Sequence, residues 1–291
     1  MTLPLTLHRP VVMGILNVTP DSFSDGGRWI NPAAAIDHAV ELVAQGADII
    51  DIGGESTRPG AARVPAADEL ARVLPIVREL VSRDIPLSID TMNASTAGAC
   101  ADAGAEYIND VSGGLADPDM YRVVAGSGVK YIAMHWREHS VTMQAAPFYT
   151  DVVGEVRTEL RARIADAIAA GIEPANLLID PGLGFSKTAE HNWQLLAELP
   201  ALASLGFPVL VGASRKKFLA EFAEPGAHPR DRDDATATIS VLSADAGAWG
   251  VRVHNVAATR AALNVWDRWT AAGRFASGST PGSASAGTVL S

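Results

Sequence analysis

Eight short apolar runs recur along the chain, each ending abruptly in a polar residue or a glycine turn: VVMGILN (11–17), ADIIDIGG (47–54), IPLSID (85–90), AEYIND (105–110), VKYIAMH (129–135), NLLID (176–180), FPVLVG (207–212) and VRVHN (251–255). Their length and their Val and Ile content predict buried parallel strands. The endings Asn17, Asp51, Asp90, Asn109, His135, Asp180, Gly212 and His254 stand 19 to 45 residues apart, room each time for a crossover helix. Ala-rich amphipathic stretches fill those gaps, at 32–46, 66–83, 93–104, 117–128, 152–171, 188–206, a pair around 214–223 and 232–250, and 255–273. Several of them end in Gly, the residue expected at a helix C-terminus. Strand and helix alternating in this way predict an α/β fold, a single-domain (β/α)8 TIM barrel over residues 11–272. A short extension, 1–10, precedes it. From residue 273 to 291 the chain is rich in Gly, Ser and Ala without periodicity, which predicts a disordered tail.

A barrel of this kind carries its chemistry at the C-terminal ends of its strands, so the eight polar endings are where function is to be sought. Three connections that follow strands are long: 17–32 and 53–65, after strands 1 and 2, and 135–150. Long loops on that face can act as lids.

Composition narrows the function classes. A net charge of -10 argues against a nonspecific nucleic-acid binder, which needs a basic surface to neutralise phosphates. No apolar stretch reaches the ~18 uninterrupted residues of a membrane helix, and the N-terminus lacks a signal-peptide pattern, so cytoplasmic residence is expected. The single Cys100 has no disulfide partner and sits in a small-residue helix, where a buried, unreactive thiol is expected.

Alternation in VRVHN puts Arg252 and His254 on one face of the last strand and Val251 and Val253 on the other. Inside a barrel an Arg without a partner would be costly, and an anion there would satisfy both cations. Arg58, in the STRPG loop, could reach the same anion with its guanidinium fork. Asp90, Asn109 and Asp180 end strands 3, 4 and 6. Each alone could be a helix cap, but together they form an acceptor–donor–acceptor set suited to a flat heterocycle with amino and amide groups. In GASRKKF, Lys216 and Lys217 open a predicted helix, where backbone N–H groups favour an anionic or electron-rich ligand. Asn17 could hold Mg2+ shared with substrate phosphates, or pin its loop by a hydrogen bond. His135 and His139 are four apart but His135 ends a strand, so a metal site is not expected of them. Asp231, Asp233 and Asp234 are read as complementing the dipole of the helix that follows.

The strings NVTPDSFSDGG, DIGGESTRPGA, SIDT, NDVSGG, DPGLGFSK, GASRK and RVHN, in this order from residue 13 to 254, resemble the dihydropteroate synthase family. The resemblance implies condensation of 6-hydroxymethyl-7,8-dihydropterin diphosphate with 4-aminobenzoate, giving 7,8-dihydropteroate and diphosphate. It implies a pterin pocket of Asp90, Asn109, Asp180 and Lys216, and a diphosphate pocket of Asn17, Arg58, Arg252 and His254, with Mg2+ at Asn17. An aminobenzoate site of Thr57, Pro59, Phe185, Ser214 and Lys217 is similarly implied, closed by the first two loops; Lys217 stands where some relatives carry Ser. The residues expected to carry the reaction are Asp90, Asp180, Lys216, Arg252 and His254. Two other readings compete: a noncatalytic or altered pterin-binding paralogue, and a Schiff-base aldolase using Lys216. A homodimer is expected, with Trp266 and Trp269 on the last helix either forming its face or packing into the core.

Overall fold

The computed structural model of the protein describes residues 9–19, 32–55, 64–137 and 148–277. Strand β1 (Val11–Asn17) pairs in parallel with β2 (Ile49–Gly53) on one side and β8 (Gly250–Val253) on the other. From β2 the ladder continues through β3 (Leu87–Asp90), β4 (Tyr107–Asp110), β5 (Lys130–Met134) and β6 (Leu177–Asp180), while β8 pairs with β7 (Leu210–Val211). A parallel bridge between Ile179 and Val209 joins β6 to β7 and closes the ring. The expected barrel is therefore present, with the expected eight strands in parallel.

Alternation along each strand sorts side chains into two cores. Outward-facing residues, among them Val12, Leu16, Ile50, Ile52, Ile89 and Val251, pack beneath the surrounding helices. Inward-facing Val11, Met13, Ile49, Tyr107, Ile132, Leu178 and Leu210, with Trp249, form a separate apolar plug. The same inward positions one step further along are polar: Asp51, Asp90, Asn109, Asp180 and Arg252. The barrel interior is thus an apolar floor under a charged layer.

The helices are α1 (Pro32–Ala44), α2 (Ala66–Val81), α3 (Ala94–Asp102), α4 (Met120–Ser127), α5 (Val152–Ala169), α6 (Ala189–Ala197), α7 (Leu199–Ala203), α8 (Asp233–Asp245) and α9 (Val256–Ser277). Two expectations need correction. The predicted helix at 188–206 is broken at Glu198 into α6 and α7, with Pro200 in the first turn of α7. The helix expected from Ser214 is a six-residue 3-10 segment, Lys217–Phe222, because Arg215 turns the chain with a left-handed φ of 58°. At the C-terminus α9 runs to Ser277, past the expected start of the tail at 273; the rest of that tail lies outside the described residues. No helix among the described residues is long and apolar enough to cross a membrane.

Candidate active site

Strand register places the charged layer. Asn17 pairs with Gly53, Gly53 with Asp90 and Asp90 with Asn109, so one rung crosses four strands at the barrel mouth. Gly53 leaves that rung open between its neighbours. A Cβ there would stand 3.6 Å from Asp90 Oδ2 and 3.7 Å from Asn17 Oδ1. From β8, opposite Met13, Arg252 reaches into the same layer. Its Nε donates to Asp51 Oδ2 at 2.5 Å and its Nη2 to Asp90 Oδ2 at 2.6 Å.

The guanidinium is therefore paired, and the expectation that it awaits an anion as its only partner is corrected: two carboxylates of the barrel hold it. Asp51, the ending of the second run, is not among the site residues expected from the sequence. Its Oδ2 also accepts from Asn109 Nδ2 at 3.2 Å, while its buried Oδ1 has no hydrogen-bond partner among the described residues. Desolvation pushes the Asp90 carboxyl up to about 7, with Asp51 adding to the rise and Arg252 opposing it.

Across the mouth, Asp180 ends β6 and Lys216 follows β7. Both converge over Gly212, whose missing Cβ would lie 3.4 Å from Asp180 Oδ2 and 3.9 Å from Lys216 Nζ. The other Asp180 oxygen accepts from the Gly182 N–H at 2.7 Å. Desolvation raises the Asp180 carboxyl against the pull of Lys216, and lowers the Lys216 ammonium to about 8 against the pull of Asp180. Lys216 Nζ donates to the Leu183 carbonyl and lies 4.7 Å from the centre of the Phe185 ring. Ser214 Oγ accepts the backbone N–H of His254 at 3.1 Å and sits 3.0 Å from its Nδ1, which fixes the imidazole.

Asn17, Asn109, Asp180, Ser214, Lys216, Arg252 and His254 line one cavity of about 750 Å³, with Asp51 and Asp90 joined to it through Arg252. Phe185 and the exposed Lys217 extend the wall outward, and Val111 and Met134 give it an apolar side. Around its wall the cavity presents the Asp180 carboxylate with amide, ammonium, guanidinium and imidazole groups. Such a mixture can hold a heterocycle flat and an anion at its edge.

Three predicted residues, Thr57, Arg58 and Pro59, lie outside the described residues, as does His139. His135 does not face the cavity, contrary to the picture of eight endings aimed at one site. Alternation gives the inward position to Met134, and His135 turns outward to Glu159 of α5 and to Lys187. The acidic stretch sits at the start of α8 as expected, and both oxygens of Asp233 also pair with Arg215, at 2.7 and 2.8 Å. That pair draws Arg215 away from Lys216. Cys100 is buried, and its thiol is pushed up to about 12 by desolvation. On α9, Trp266 packs against the outer core and donates to Asp245, whereas Trp269 is 80% exposed.

The family described as "Pterin binding enzyme" matches residues 13–254. A dihydropteroate synthase of Mycobacterium leprae is 52% identical over 267 residues, which span 90% of this chain and 94% of the relative. Among solved structures, the Xanthomonas albilineans dihydropteroate synthase with 4-aminobenzoic acid superimposes with a TM-score of 0.83 at 47% identity, covering 90% of this chain and 94% of that one. The structure of the enzyme from that organism in complex with 7,8-dihydropteroate gives a TM-score of 0.81 at 44% identity, over 92% and 96% of the two chains.

Proposed function

Because the chain belongs to the pterin binding enzymes, and within them to the dihydropteroate synthases of folate synthesis, we propose that its cavity joins 6-hydroxymethyl-7,8-dihydropterin diphosphate to 4-aminobenzoate by an SN1-like route. The observation that carries this reading is the pairing of an acceptor with a donor over Gly212. Asp180 Oδ2 beside Lys216 Nζ matches the amide edge of a pterin, where N–H donors neighbour a carbonyl acceptor. Asn109 and Asp90 face the remaining ring positions from the opposite strands.

The diphosphate end falls to Asn17, Arg252 and His254, and the family resemblance adds Arg58 to them. A Mg2+ ion at this end would find few protein ligands. Among the described residues no three acidic, His or Cys side chains converge as a metal cage, and Asn17 supplies one neutral oxygen above Gly53. That set fits a cation which takes most of its ligands from phosphate oxygens and water. Bound there with the substrate, Mg2+ would neutralise diphosphate charge.

The chain's own groups account for the remaining chemistry. As the methylene C–O bond breaks, its electron pair leaves with the diphosphate, whose charge Arg252 and His254 offset. Positive charge left on the methylene spreads into the pterin ring, where the carboxylates of Asp90 and Asp180 stabilise it. The 4-aminobenzoate nitrogen then forms the new C–N bond and gives up one proton to solvent. An anilinium formed in this way is strongly acidic, so no strong general base is called for. The acceptor ring is assigned to Phe185, Ser214 and Lys217 on the cavity wall, and the family resemblance adds Thr57 and Pro59. Lys216 acts here as a hydrogen-bond donor rather than as a Schiff-base amine, consistent with its bond to the Leu183 carbonyl.

We also place the enzyme in the cytoplasm as a homodimer, supported by the exposed apolar side chains Leu242, Val265 and Trp269 on α8 and α9; light scattering that gives the mass of one chain would overturn the dimer. The reaction itself is tested by diphosphate release with Mg2+ present. Release is expected to require both substrates. Release with either alone, or none with both, would refute the assignment.

A further inference from the structure

Lys187 takes no part in the reaction as described, yet it is enclosed beside the site. Its Nζ donates to the Gly182 carbonyl at 3.0 Å and the Phe185 carbonyl at 3.1 Å, and lies 2.9 Å from His135 Nδ1. An ammonium has three protons, and three acceptors surround it. With His135 Nδ1 accepting, the imidazole carries its proton on Nε2, which donates to Glu159 Oε2 at 2.9 Å. Arg137 holds that carboxylate through two contacts of its Nε at 3.1 Å. The chain of contacts runs from α5, behind the barrel wall, to the loop between β6 and α6.

That loop needs holding. Gly182 and Gly184 have φ of 66° and 76°, and Ser186, a residue with a side chain, has φ of 45°. Each left-handed residue turns the backbone, and Ser186 does so at a steric cost. Lys187 ties the carbonyls at both ends of the 182–185 turn, while Lys216, also on the cavity wall, ties the Leu183 carbonyl between them. The turn carries Phe185, whose ring packs with Met92, Val111 and Met134 at the cavity wall. Its position depends on the two lysines.

We propose that Lys187, oriented by His135 and Glu159, is a positioning residue for the second substrate: it fixes the turn that presents Phe185 to the 4-aminobenzoate ring. The inference rests on the function proposed above. Asn109 and Asp90 reach the site from other strands, while the turn meets Asp180 through the Gly182 N–H and Lys216 through the Leu183 carbonyl, bonds that Lys187 does not itself make. Desolvation and Lys216 lower the Lys187 ammonium to about 7, in keeping with a cation held by neutral acceptors rather than by a carboxylate.

Lys187→Met keeps the stem and removes all three bonds. It is expected to raise KM for 4-aminobenzoate by about tenfold, and KM for the pterin diphosphate by a clearly smaller factor. His135→Asn, a milder change that disturbs only the third contact, is expected to move the same KM in the same direction by a smaller factor. Steady-state kinetics on the full chain, with thermal melting of each variant, separate the outcomes. Equal changes in both KM values, or none in either, would overturn the proposal, as would loss of fold in both variants, which would place the contacts in stability alone. If the parent enzyme makes no dihydropteroate, the assignment of function fails and this inference with it. Turnover by the parent with K187M unaltered fails this inference alone.

Discussion

Arg252 is at once a cation of the site and the counter-charge of a buried carboxylate pair. Its guanidinium separates Asp51 and Asp90, and it is only 18% exposed. Arg252→Ala should therefore cost more than ligand contact. Removing one member of a buried ion network leaves uncompensated charge, on the order of 3–5 kcal/mol. The sign of the pH dependence follows from Asp90. Its carboxyl, raised from 3.8 to about 7 with the guanidinium present, rises further without it. A raised acid favours the fold below its unfolded value, and that contribution is lost as pH climbs through the folded value. The loss of thermal stability in R252A should accordingly grow between about pH 6 and about pH 9 and shrink in acid. A melting difference that does not change with pH would refute the account. Alternation in VRVHN placed this arginine inside the barrel, but its partners depend on register, and a strand of four residues carries no sign of which carboxylates its neighbours will set at the same height.

At the scale of the element, apolar runs and their endings were enough to read the strands, their parallel order and most of the cavity wall. Asn109, Asp180, Ser214, Lys216, Arg252 and His254 all line one volume, and Asp90 joins them through its bond to Arg252. What did not follow from the pattern was set by turns. Arg215 and Ser186 adopt left-handed φ without being glycine, so the helix expected after β7 shortened and Lys187 turned onto the carbonyls of its own loop. His135 was misread because an ending was counted instead of a parity: Met134, one residue earlier, holds the inward place. Glycines sharpen the distinction between a turn and an opening. Gly182 has φ of 66°, and a Cβ there would run into the His135 carbonyl oxygen, so Gly182→Ala should destabilise the loop severely. At Gly53 the nearest atoms to a Cβ are at 3.6 and 3.7 Å, ordinary contact distances. Gly53→Ala should fold with a change of at most about 1 kcal/mol, while covering the rung between Asn17 and Asp90. Its kcat/KM for the pterin diphosphate is expected to fall by at least about tenfold. A fully active G53A would show that substrate does not use this opening.

Across the whole molecule, buried and enclosed groups divide the pH axis among themselves. His135 is held neutral, lowered by desolvation and then by Lys187 from 6.5 to about 4. The unfolded chain takes up a proton there before the folded one does, so the His135 contribution is complete above 6.5 and lost as pH falls to about 4, on the order of 3 kcal/mol. Asp90 acts in the opposite sense over nearly the same interval. Its folded carboxyl keeps a proton that the unfolded chain releases, so it stabilises in acid and that contribution fades as pH rises from 3.8 to about 7. Asp110 and Asp180, also raised by desolvation, add to that side. Glu159, lowered to about 2 with the His135 and Arg137 contacts opposing its desolvation, and Lys187, lowered from 10.5 to about 7, titrate mainly outside the interval. The parent protein should then show a flattened stability profile between about pH 4 and about pH 6.5, because two opposed linkages cancel there. His135→Asn removes one of them. Its stability deficit against the parent, measured by denaturant unfolding, should narrow as pH falls across that interval, and a deficit that widens would mean that His135 is protonated in the fold.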